Sequence, residues 1–376
     1  MITMQNKILV IGQLPPPIHG SNIMAQIFLE SLGRNGVKGG IVQKKFSKKN
    51  DEVGKVSLGK LFKVFPLFVR LFKSVKEEKP DLCVYFITVG LSAFLIDSLM
   101  IRVLRHFKIP YVLYFHGAGY LKYAGHSVAL VSHMVKDVLS SSCGGMILGE
   151  GLKEDVRMFI PENRLFILPN TVPDMNPDRR MPTCPDGNPV RIVFLANLDP
   201  SKGPMEFLHM AKMLIFQERN VKFILAGNPH NAIFSDQLRQ FILQEGLQDY
   251  VDMPGGIYGS EKAALFGSSD IFVYPTQKDA FPLVNLEAMQ WGIPIITSPI
   301  GAIPEAVLDG INGYIVNPRN IQEIVTKVLM LVHNPKLRST MGMAGRKLYD
   351  ERYSISAYDK HVKNALEFFL TLSSEG

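Results

Sequence analysis

Short runs of apolar residues alternate along most of the chain with longer segments in which apolar residues recur at helical spacing. The first run, Lys7–Gly12 (KILVIG), precedes an apolar helical segment over 23–32, and later DLCVYFITV precedes SAFLIDSLMIRVLRHF. A second series begins near residue 190 with VRIVFLANL. Continuous apolar runs suit strands that are buried on both faces, and strands that alternate with helices are typical of a doubly wound parallel sheet. The pattern therefore predicts an α/β protein.

The interruption between the two series divides the chain into two predicted domains. A chain of 376 residues is longer than one hydrophobic core usually supports. After Pro173 the sequence is rich in Pro, Asp and Asn and has no apolar periodicity, as expected of a linker. We therefore predict an N-terminal domain over 1–173, a linker over 174–189, a C-terminal domain over 190–352 and a final helix over 353–376.

Composition indicates a reduced, cytoplasmic protein. The three cysteines, Cys83, Cys143 and Cys184, are widely spaced and form no Cys-x-x-Cys pair, so we expect free thiols and no zinc site. The N-terminus runs directly into a strand and lacks the order of a signal peptide. Residues 82–101 are apolar enough to resemble a membrane span, but Gly90 and the polar residues near it divide them into a strand and a helix.

The positive charge of the chain is concentrated in its first half. Residues 1–180 contain 24 Lys and Arg against 14 Asp and Glu, and the net charge of the whole chain is +7. Between Lys38 and Lys79, 12 basic residues are interleaved with the apolar stretch LFKVFPLFVRLFKSV. A basic amphipathic segment of this kind suits an anionic membrane surface, or equally a packed helix with a solvated basic face. No recognition motif for nucleic acid accompanies the charge.

The candidate chemistry centres on residues 273–292. The sequence predicts a strand over Ile271–Tyr274, a polar turn, and a helix that opens near Pro282. The free N–H groups at a helix start, together with the helix dipole, favour a bound anion. Two acids frame this position, Asp279 in the turn and Glu287 inside the helix. Carboxylates so placed suit sugar hydroxyls, although a capping Asp and a solvated Glu would give the same pattern.

This pattern resembles the signature of the retaining nucleotide-sugar glycosyltransferases of family four, which have the GT-B fold. In that family two glutamates are separated by seven residues around a Gly-Phe-Gly-like turn. Here the two acids are Asp279 and Glu287, so the first is shorter by one methylene, and the glycines are missing. The resemblance implies that the second acid binds the ribose of the donor and the first contacts the donor sugar. It also implies donor contacts along the turn and helix start, at Phe281, Pro282, Leu283 and Val284.

Further positions match the family at other strand ends. Three consecutive prolines after the first strand exclude a dinucleotide-binding Gly-x-Gly-x-x-Gly turn. The loop instead resembles the family's first loop, in which the backbone near Gly20 approaches the diphosphate, although a stiff proline loop before a capped helix is the simpler alternative. His116 corresponds to a histidine that faces the donor sugar. Lys202 corresponds to a lysine that holds the diphosphate, and Met253 lies where the nucleotide base is bound. Asn197 stands where the family has an arginine, which should weaken donor binding or shift that task to another residue.

The resemblance implies two Rossmann-like, doubly wound parallel-sheet domains that face each other across a cleft, with the last helix crossing back to the first domain. The implied reaction is metal-independent transfer of a hexosyl group, with retention, from a nucleoside-diphosphate sugar to a sugar acceptor. UDP is favoured as the nucleotide, and no cofactor is expected. Lys202 would stabilise the departing diphosphate, while Asp279 and His116 would orient the sugar.

For the acceptor we expect a glycan or lipid-linked sugar at the inner face of the plasma membrane, in the synthesis of a surface polysaccharide such as lipopolysaccharide or capsule. The basic segment between Lys38 and Lys79 would then bind the membrane as a peripheral site. Three alternatives remain open. A related enzyme would use a soluble acceptor, a sugar-nucleotide epimerase would need none, and a non-catalytic GT-B subunit would bind nucleotide weakly or not at all.

Overall fold

The chain forms two compact units. The computed structural model describes residues 6–16, 19–44, 58–88, 90–125, 128–180 and 187–374, and at 58–64, 91–92 and 123 it describes the backbone alone. Unit 1 combines Met1–Asn170 with Ser356–Gly376, and unit 2 consists of Thr171–Ile355. Each unit contains one six-stranded sheet.

Unit 1 is a doubly wound α/β unit whose strands all pair in parallel, in the order β2-β1-β3-β4-β5-β6. The strands are short and buried, as their apolar sequences predict. Strands and helices follow in the order β1 Lys7–Gly12, α1 Gly20–Arg34, β2 Lys38–Gln43, α2 Leu58–Glu78, β3 Leu82–Ile87, α3 Leu91–His106, β4 Tyr111–Phe115, α4 Tyr120–Ala124, α5 Ala129–Ser140, β5 Gly144–Ile147 and β6 Leu165–Ile167.

Helices cover both faces of this sheet. One face packs against α2, α3, α4 and α5 through a core that includes Leu71, Leu104 and Val138. The other face carries α1, in which Phe28 contacts Tyr114 at a ring distance of 6.0 Å. The last helix of the chain, α13 (Ile355–Ser374), also belongs to unit 1 from Ser356 onward. Its Tyr358 hydroxyl lies 3.5 Å from the Tyr114 hydroxyl.

Unit 2 repeats the architecture, with parallel strands in the order β12-β11-β10-β7-β8-β9. Its elements are β7 Val190–Leu195, α6 Pro204–Ile215, β8 Val221–Ala226, α7 Ala232–Gln244, β9 Val251–Gly255, α8 Gly259–Gly267, β10 Ile271–Tyr274, α9 Leu283–Gln290, β11 Ile295–Thr297, α10 Ile303–Ala306, β12 Gly313–Ile315, α11 Ile321–Val332 and α12 Pro335–Leu348. The two parallel sheets confirm the predicted α/β fold class.

The strand order places a topological switch point in each sheet. In unit 1, β1 lies between β2 and β3, and in unit 2, β7 lies between β10 and β8. Successive crossovers run in opposite directions from such a central strand, so the loops at its carboxyl end diverge and leave a crevice. Ligands of open α/β sheets bind in this crevice. In unit 2 the loops after β7 and β10 therefore border the crevice.

The predicted linker is partly packed in this structure. Residues 171–180 belong to unit 2, because the guanidinium of Arg346 binds the Asp174 carboxylate at 2.6 Å and the Asn176 carbonyl at 3.0 Å. Residues 181–186 lie outside the described part of the chain. At the other end, Tyr349–Tyr353 forms a π-helical turn, so the last helix begins at Ile355 rather than at 353.

Two other sequence features are explained by the fold. The apolar segment 82–101 divides into β3 and the first part of α3. Among the described residues, no helix combines the length and apolarity that a membrane crossing requires. Cys83 and Cys143 are free thiols, while Cys184 falls outside the described residues.

Candidate functional site

The loop after β7 is shaped by a tight turn that carries Lys202. Asp199 accepts hydrogen bonds from the backbone N and the hydroxyl of Ser201 at 2.8 and 2.6 Å, which stabilises the 3₁₀ turn Pro200–Lys202. Gly203 then has a φ of 86°, and a Cβ atom there would lie 2.3 Å from the carbonyl oxygen of Pro275. Only glycine permits this approach. The turn therefore places Lys202 against the loop that follows β10.

Lys202 and Asp279 meet at the carboxyl edge of the second sheet. The Lys202 Nζ donates to Asp279 Oδ2 at 2.7 Å and to the carbonyl of Lys278 at 2.9 Å. Asp279 Oδ1 accepts the backbone N–H of Ala280 at 2.9 Å. Two residues that sequence reasoning assigned to the diphosphate and to the sugar are thus held together, 77 positions apart in the chain.

A third residue of this cluster, Tyr274, was not predicted. Its hydroxyl donates to Asp279 Oδ2 at 2.7 Å, the same oxygen that Lys202 contacts. Burial raises the pKa of the phenol well above its ordinary value, and the neighbouring Asp279 carboxylate raises it further. The phenol therefore remains a hydrogen-bond donor at neutral pH. In the sequence Tyr274 is indistinguishable from a core residue of an apolar strand.

The turn between β10 and α9 is braced on both sides. The carbonyl of Ser201 accepts the backbone N–H of Gln277 at 2.8 Å. On the other side the backbone N–H of Ala302 donates to the carbonyl of Ala280 at 2.8 Å, and the preceding Gly301 has a φ of 59°. The backbone that carries Asp279 is consequently held by hydrogen bonds to two neighbouring loops.

Helix α9 starts one residue later than expected. Pro282 is the residue that precedes the helix, with a φ of −70° and a ψ of 128°, and Leu283 is the first helical residue. The early N–H groups of α9, at Leu283 and Val284, therefore have no carbonyl one turn back within the helix. Phe281 is buried just before the helix start, with 4% of its surface exposed.

Glu287 is buried in α9 and paired with a lysine. Only 9% of its surface is exposed, and its Oε1 accepts a hydrogen bond from the Nζ of Lys262 in α8. The solvated glutamate of the simpler alternative is therefore not what the structure shows. Asp279 does not cap α9 either, because its side chain bonds to Ala280 and not to the first turn of the helix. Lys262 is a second residue that sequence reasoning missed.

The loops after β7 and β8, together with β9, contribute the other predicted residues of unit 2. Asn197 is exposed, and His230 places its Nδ1 3.1 Å from Asp199 Oδ2. Burial raises the pKa of the Asp199 carboxyl, but the hydrogen bonds from Ser201 and the neighbouring His230 and Lys202 outweigh burial and lower it. Met253 lies in β9 and is partly exposed.

The predicted residues of unit 1 lie at the carboxyl edge of the first sheet. Gly20 is the exposed first residue of α1. His116 follows β4, and its ring stacks on Phe86 at a centroid distance of 5.1 Å and lies 4.1 Å from Tyr114. Its Nε2 is buried without a hydrogen-bond partner. Burial lowers the pKa of His116 to about 3, so the imidazole is neutral at physiological pH.

The same edge contains a buried ion pair. Lys44 Nζ donates to Asp97 Oδ1 at 2.8 Å and to the carbonyl of Phe86 at 2.8 Å. The hydroxyl of Tyr85 and the backbone N–H of Thr88 also donate to the Asp97 carboxylate, at 2.7 and 2.9 Å. Lys44 belongs to the basic segment that begins at Lys38, but it holds the ends of β2 and β3 together rather than facing solvent.

No cluster of three or more His, Cys, Asp or Glu suited to a metal occurs within the described ranges. The positive charge at the edge of unit 2 comes instead from side chains of the chain, with Lys202 next to the turn and Lys262 next to Glu287. This edge combines a cationic group, a helix start and two carboxylates, which together suit a phosphorylated sugar.

Part of this chain is similar in sequence to known glycosyltransferases. The family model of glycosyl transferases group 1 matches residues 179–348. The capsular polysaccharide biosynthesis glycosyltransferase CapM of Staphylococcus aureus is 24% identical over 185 residues, which cover 49% of this chain and 47% of that protein. The chain spans about half the length of the curated relatives it matches.

Two solved structures share the fold over almost the whole chain. Sucrose-phosphate synthase from Thermosynechococcus elongatus has a TM-score of 0.75 at 17% identity and covers 96% of this chain and 98% of its own. HepE of Anabaena in complex with UDP-glucose has a TM-score of 0.73 at 16% identity, with coverages of 96% and 99%. These similarities confirm the GT-B type of fold.

Proposed function

Because residues 179–348 match the family model of glycosyl transferases group 1, we propose that the chain transfers a hexosyl group from a nucleoside-diphosphate sugar to a sugar acceptor. The observation that carries the proposal is the Lys202–Asp279 pair at the switch point of unit 2, followed by the start of α9 and the buried Glu287. Members of family four retain the configuration of the anomeric carbon, and we propose the same outcome here.

The diphosphate would bind between Lys202 and the start of α9. An ammonium group has three N–H donors, and the two hydrogen bonds described for Lys202 leave a third for a phosphate oxygen. The free N–H groups at Leu283 and Val284 favour an anion at the same place. Lys202 is the principal cation of this proposal because Asn197 occupies the family's arginine position.

Two carboxylates would hold the sugars of the donor. The Oε1 atom of Glu287 accepts a hydrogen bond from Lys262. A carboxylate has further acceptor positions, which the hydroxyls of a ribose would occupy. Asp279 would face the transferred sugar, and an orienting role for His116 stays a prediction from the resemblance. Met253 would border the base, and a role for Gly20 at the diphosphate stays a prediction from the resemblance. UDP is the proposed nucleotide.

We propose a dissociative mechanism for the transfer. As the bond between the anomeric carbon and the phosphate oxygen breaks, negative charge develops on the leaving diphosphate, where Lys202 and the start of α9 stabilise it. The acceptor hydroxyl attacks the oxocarbenium-like carbon on the same face and passes its proton to the leaving phosphate oxygen. The mechanism requires no nucleophile or general base from the protein, and Lys202 takes the part that a divalent metal plays in other transferases.

Calorimetric binding of UDP, GDP and ADP tests this donor site. We expect the wild type to bind one nucleotide selectively and the variants Lys202→Ala and Glu287→Ala to lose that binding. Lys212→Ala is the matched control, because Lys212 forms an ion pair of equal length, 2.7 Å, with Glu245 elsewhere in unit 2. Absence of binding to all three nucleotides would contradict the proposal and favour a non-catalytic subunit.

A lipid-linked sugar is the proposed acceptor, and α2 provides the observation that favours it. Phe65, Val69 and Phe72 are 70%, 51% and 48% exposed, and their spacing places them on one side of the helix. Lys73 and Lys76 are exposed on the same helix. The opposite side, with Leu67, Leu71 and Val75, is buried in unit 1.

The exposed side of α2 is thus both apolar and basic, as expected of a helix that binds an anionic membrane surface. Residues 45–57 of the predicted basic segment lie outside the described part of the chain. We propose that the protein works at the cytoplasmic face of a membrane and binds it through α2. The relationship to CapM is consistent with a role in making a surface polysaccharide.

Liposome sedimentation tests the membrane contact. We expect binding to vesicles that contain phosphatidylglycerol, weaker binding to phosphatidylcholine alone, and a loss of about tenfold or more for Phe65→Ser, because a buried aromatic side chain contributes about 1.5–3 kcal/mol. Phe216→Ser is the control, since Phe216 is 77% exposed but belongs to unit 2. Equal binding to both vesicles would favour a soluble acceptor, and formation of an epimerised donor without acceptor would identify an epimerase.

A further inference from the structure

The hydroxyl of Tyr274 makes a polar contact inside an otherwise apolar strand end. Tyr274 is 1% exposed at the end of β10, and its ring packs near Phe194 and Phe272 at 5.8 and 6.1 Å. These neighbours leave the ring little freedom to move. Its hydroxyl therefore reaches Asp279 Oδ2, at 2.7 Å, from a rigid position.

The same carboxylate oxygen has a second donor that serves another purpose. Lys202 contacts Asp279 Oδ2 at 2.7 Å, but in the proposed function its ammonium group must also bind the diphosphate of the donor. A lysine is a flexible cation, and a phosphate bound to its third N–H competes with Asp279 for its positive charge. Of the two side-chain donors described on Oδ2, Tyr274 is then the one whose hydrogen bond serves Asp279 alone.

The length of the acid explains why such support matters. Asp279 is shorter by one methylene than the glutamate of the family that the sequence resembles, so fewer bonds separate its carboxylate from the backbone. The backbone N–H of Ala280 holds Oδ1 at 2.9 Å, and Tyr274 holds Oδ2. Together these two donors define the plane of the carboxylate without any help from Lys202.

We propose that Tyr274 is a positioning residue for sugar transfer, which keeps Asp279 oriented toward the donor sugar while Lys202 binds the diphosphate. This inference rests on the proposed function and adds a residue to the same site. It further implies that Tyr274 and the short acid act as a pair, because a glutamate at 279 would carry its carboxylate one methylene beyond the group that the hydroxyl now contacts.

The variant Tyr274→Phe tests this role by removing one oxygen atom. We expect the affinity for UDP to change less than about twofold, while the rate of UDP release from UDP-glucose falls about tenfold or more, since a hydrogen bond to a charged group is lost. Tyr349→Phe is the matched control. Tyr349 is equally buried in unit 2, and its hydroxyl donates to the Val172 carbonyl at 2.9 Å. A purely structural role for Tyr274 would give both variants the same kinetics.

The variant Asp279→Glu tests the pairing. We expect it to lose activity in the wild-type background and to recover several-fold when Tyr274→Phe is added, because the missing hydroxyl makes room for the extra methylene. Independent, additive effects of the two substitutions, together with normal UDP release in Tyr274→Phe, would overturn the inference.

These outcomes are separable from failure of the proposed function. A wild type that binds none of UDP, GDP and ADP overturns the proposed function and the role of Tyr274 with it. A wild type that binds and turns over UDP-glucose, while Tyr274→Phe matches Tyr349→Phe, overturns the role of Tyr274 alone.

Discussion

Replacing Lys202 with alanine should lower the rate of sugar transfer about 100-fold or more, as happens when one preorganised charge-stabilising donor is removed. The ammonium group lies 2.7 Å from Asp279, with 26% of the lysine side chain exposed. A unit charge that develops on a phosphate about 4 Å away would interact with it by about 4 kcal/mol at an effective dielectric constant of about 20. Partial exposure reduces this value, and about 2.7 kcal/mol already corresponds to 100-fold.

Loss of the cation should have a second effect, because Asp279 keeps its negative charge. Without Lys202 the carboxylate has only Tyr274 and the Ala280 N–H as described donors, and it would repel the diphosphate. We therefore expect both a weaker affinity for UDP and a lower kcat. The fold should survive, since a partly exposed ion pair contributes about 1 kcal/mol or less to stability.

The assay is the initial rate of UDP release from UDP-glucose over a range of donor concentrations, with thermal unfolding measured on the same preparations. The control Lys212→Ala should retain both kcat and KM. A folded Lys202→Ala protein with a kcat/KM near that of the wild type would refute the assignment of Lys202 to the leaving group.

Three further substitutions test the fold around the two strand edges. Gly203→Ala should lower the free energy of unfolding by about 1–3 kcal/mol more than Gly246→Ala. Both glycines have a positive φ, but of the two only Gly203 would place a Cβ atom against the backbone. Equal midpoints of urea unfolding for the two variants would contradict this. Lys44→Ala should lower the free energy of unfolding by about 3–5 kcal/mol, because Lys44 belongs to a buried ion pair. Arg105→Ala, which breaks an exposed ion pair, should lower it by about 1 kcal/mol or less. Equal losses in the two variants would show that Lys44 is not part of a buried pair. Because burial lowers the pKa of His116 to about 3, the unfolded chain binds its proton first as pH falls below about 6.5. Thermal stability should therefore fall more steeply between pH 6.5 and 4 in the wild type than in His116→Phe, and parallel profiles would contradict the pKa.

Much of the fold could be predicted because its signals are local. Lys7–Gly12 and Ile271–Tyr274 have the observed strand bounds, since each is a short apolar run with polar or turn residues beside it. The boundary between the units was harder to place. Residues 171–180 have the composition of a linker, yet Arg346 binds Asp174 and draws this stretch onto unit 2. Composition does not reveal a partner 172 residues away.

The candidate site shows the same division. Lys202 and Asp279 were each predicted from the resemblance to the family, and the structure places them in contact. The binding experiment tests the expectation that Asn197 weakens donor binding. Tyr274 and Lys262 could not be predicted, because a tyrosine in an apolar strand and a lysine on a helix have common structural explanations.

By itself, the sequence determined the alternation of strands and helices, the resemblance to a glycosyltransferase family and the identity of the acids beside α9. Tertiary structure alone decided the partners of those acids: Lys202 and Tyr274 for Asp279, and Lys262 for Glu287. The physical reason is the separation along the chain over which each kind of interaction acts. Periodicity and turn chemistry act between neighbours in the chain, whereas an ion pair depends on where the packed sheet brings side chains that are 25 or 77 residues apart.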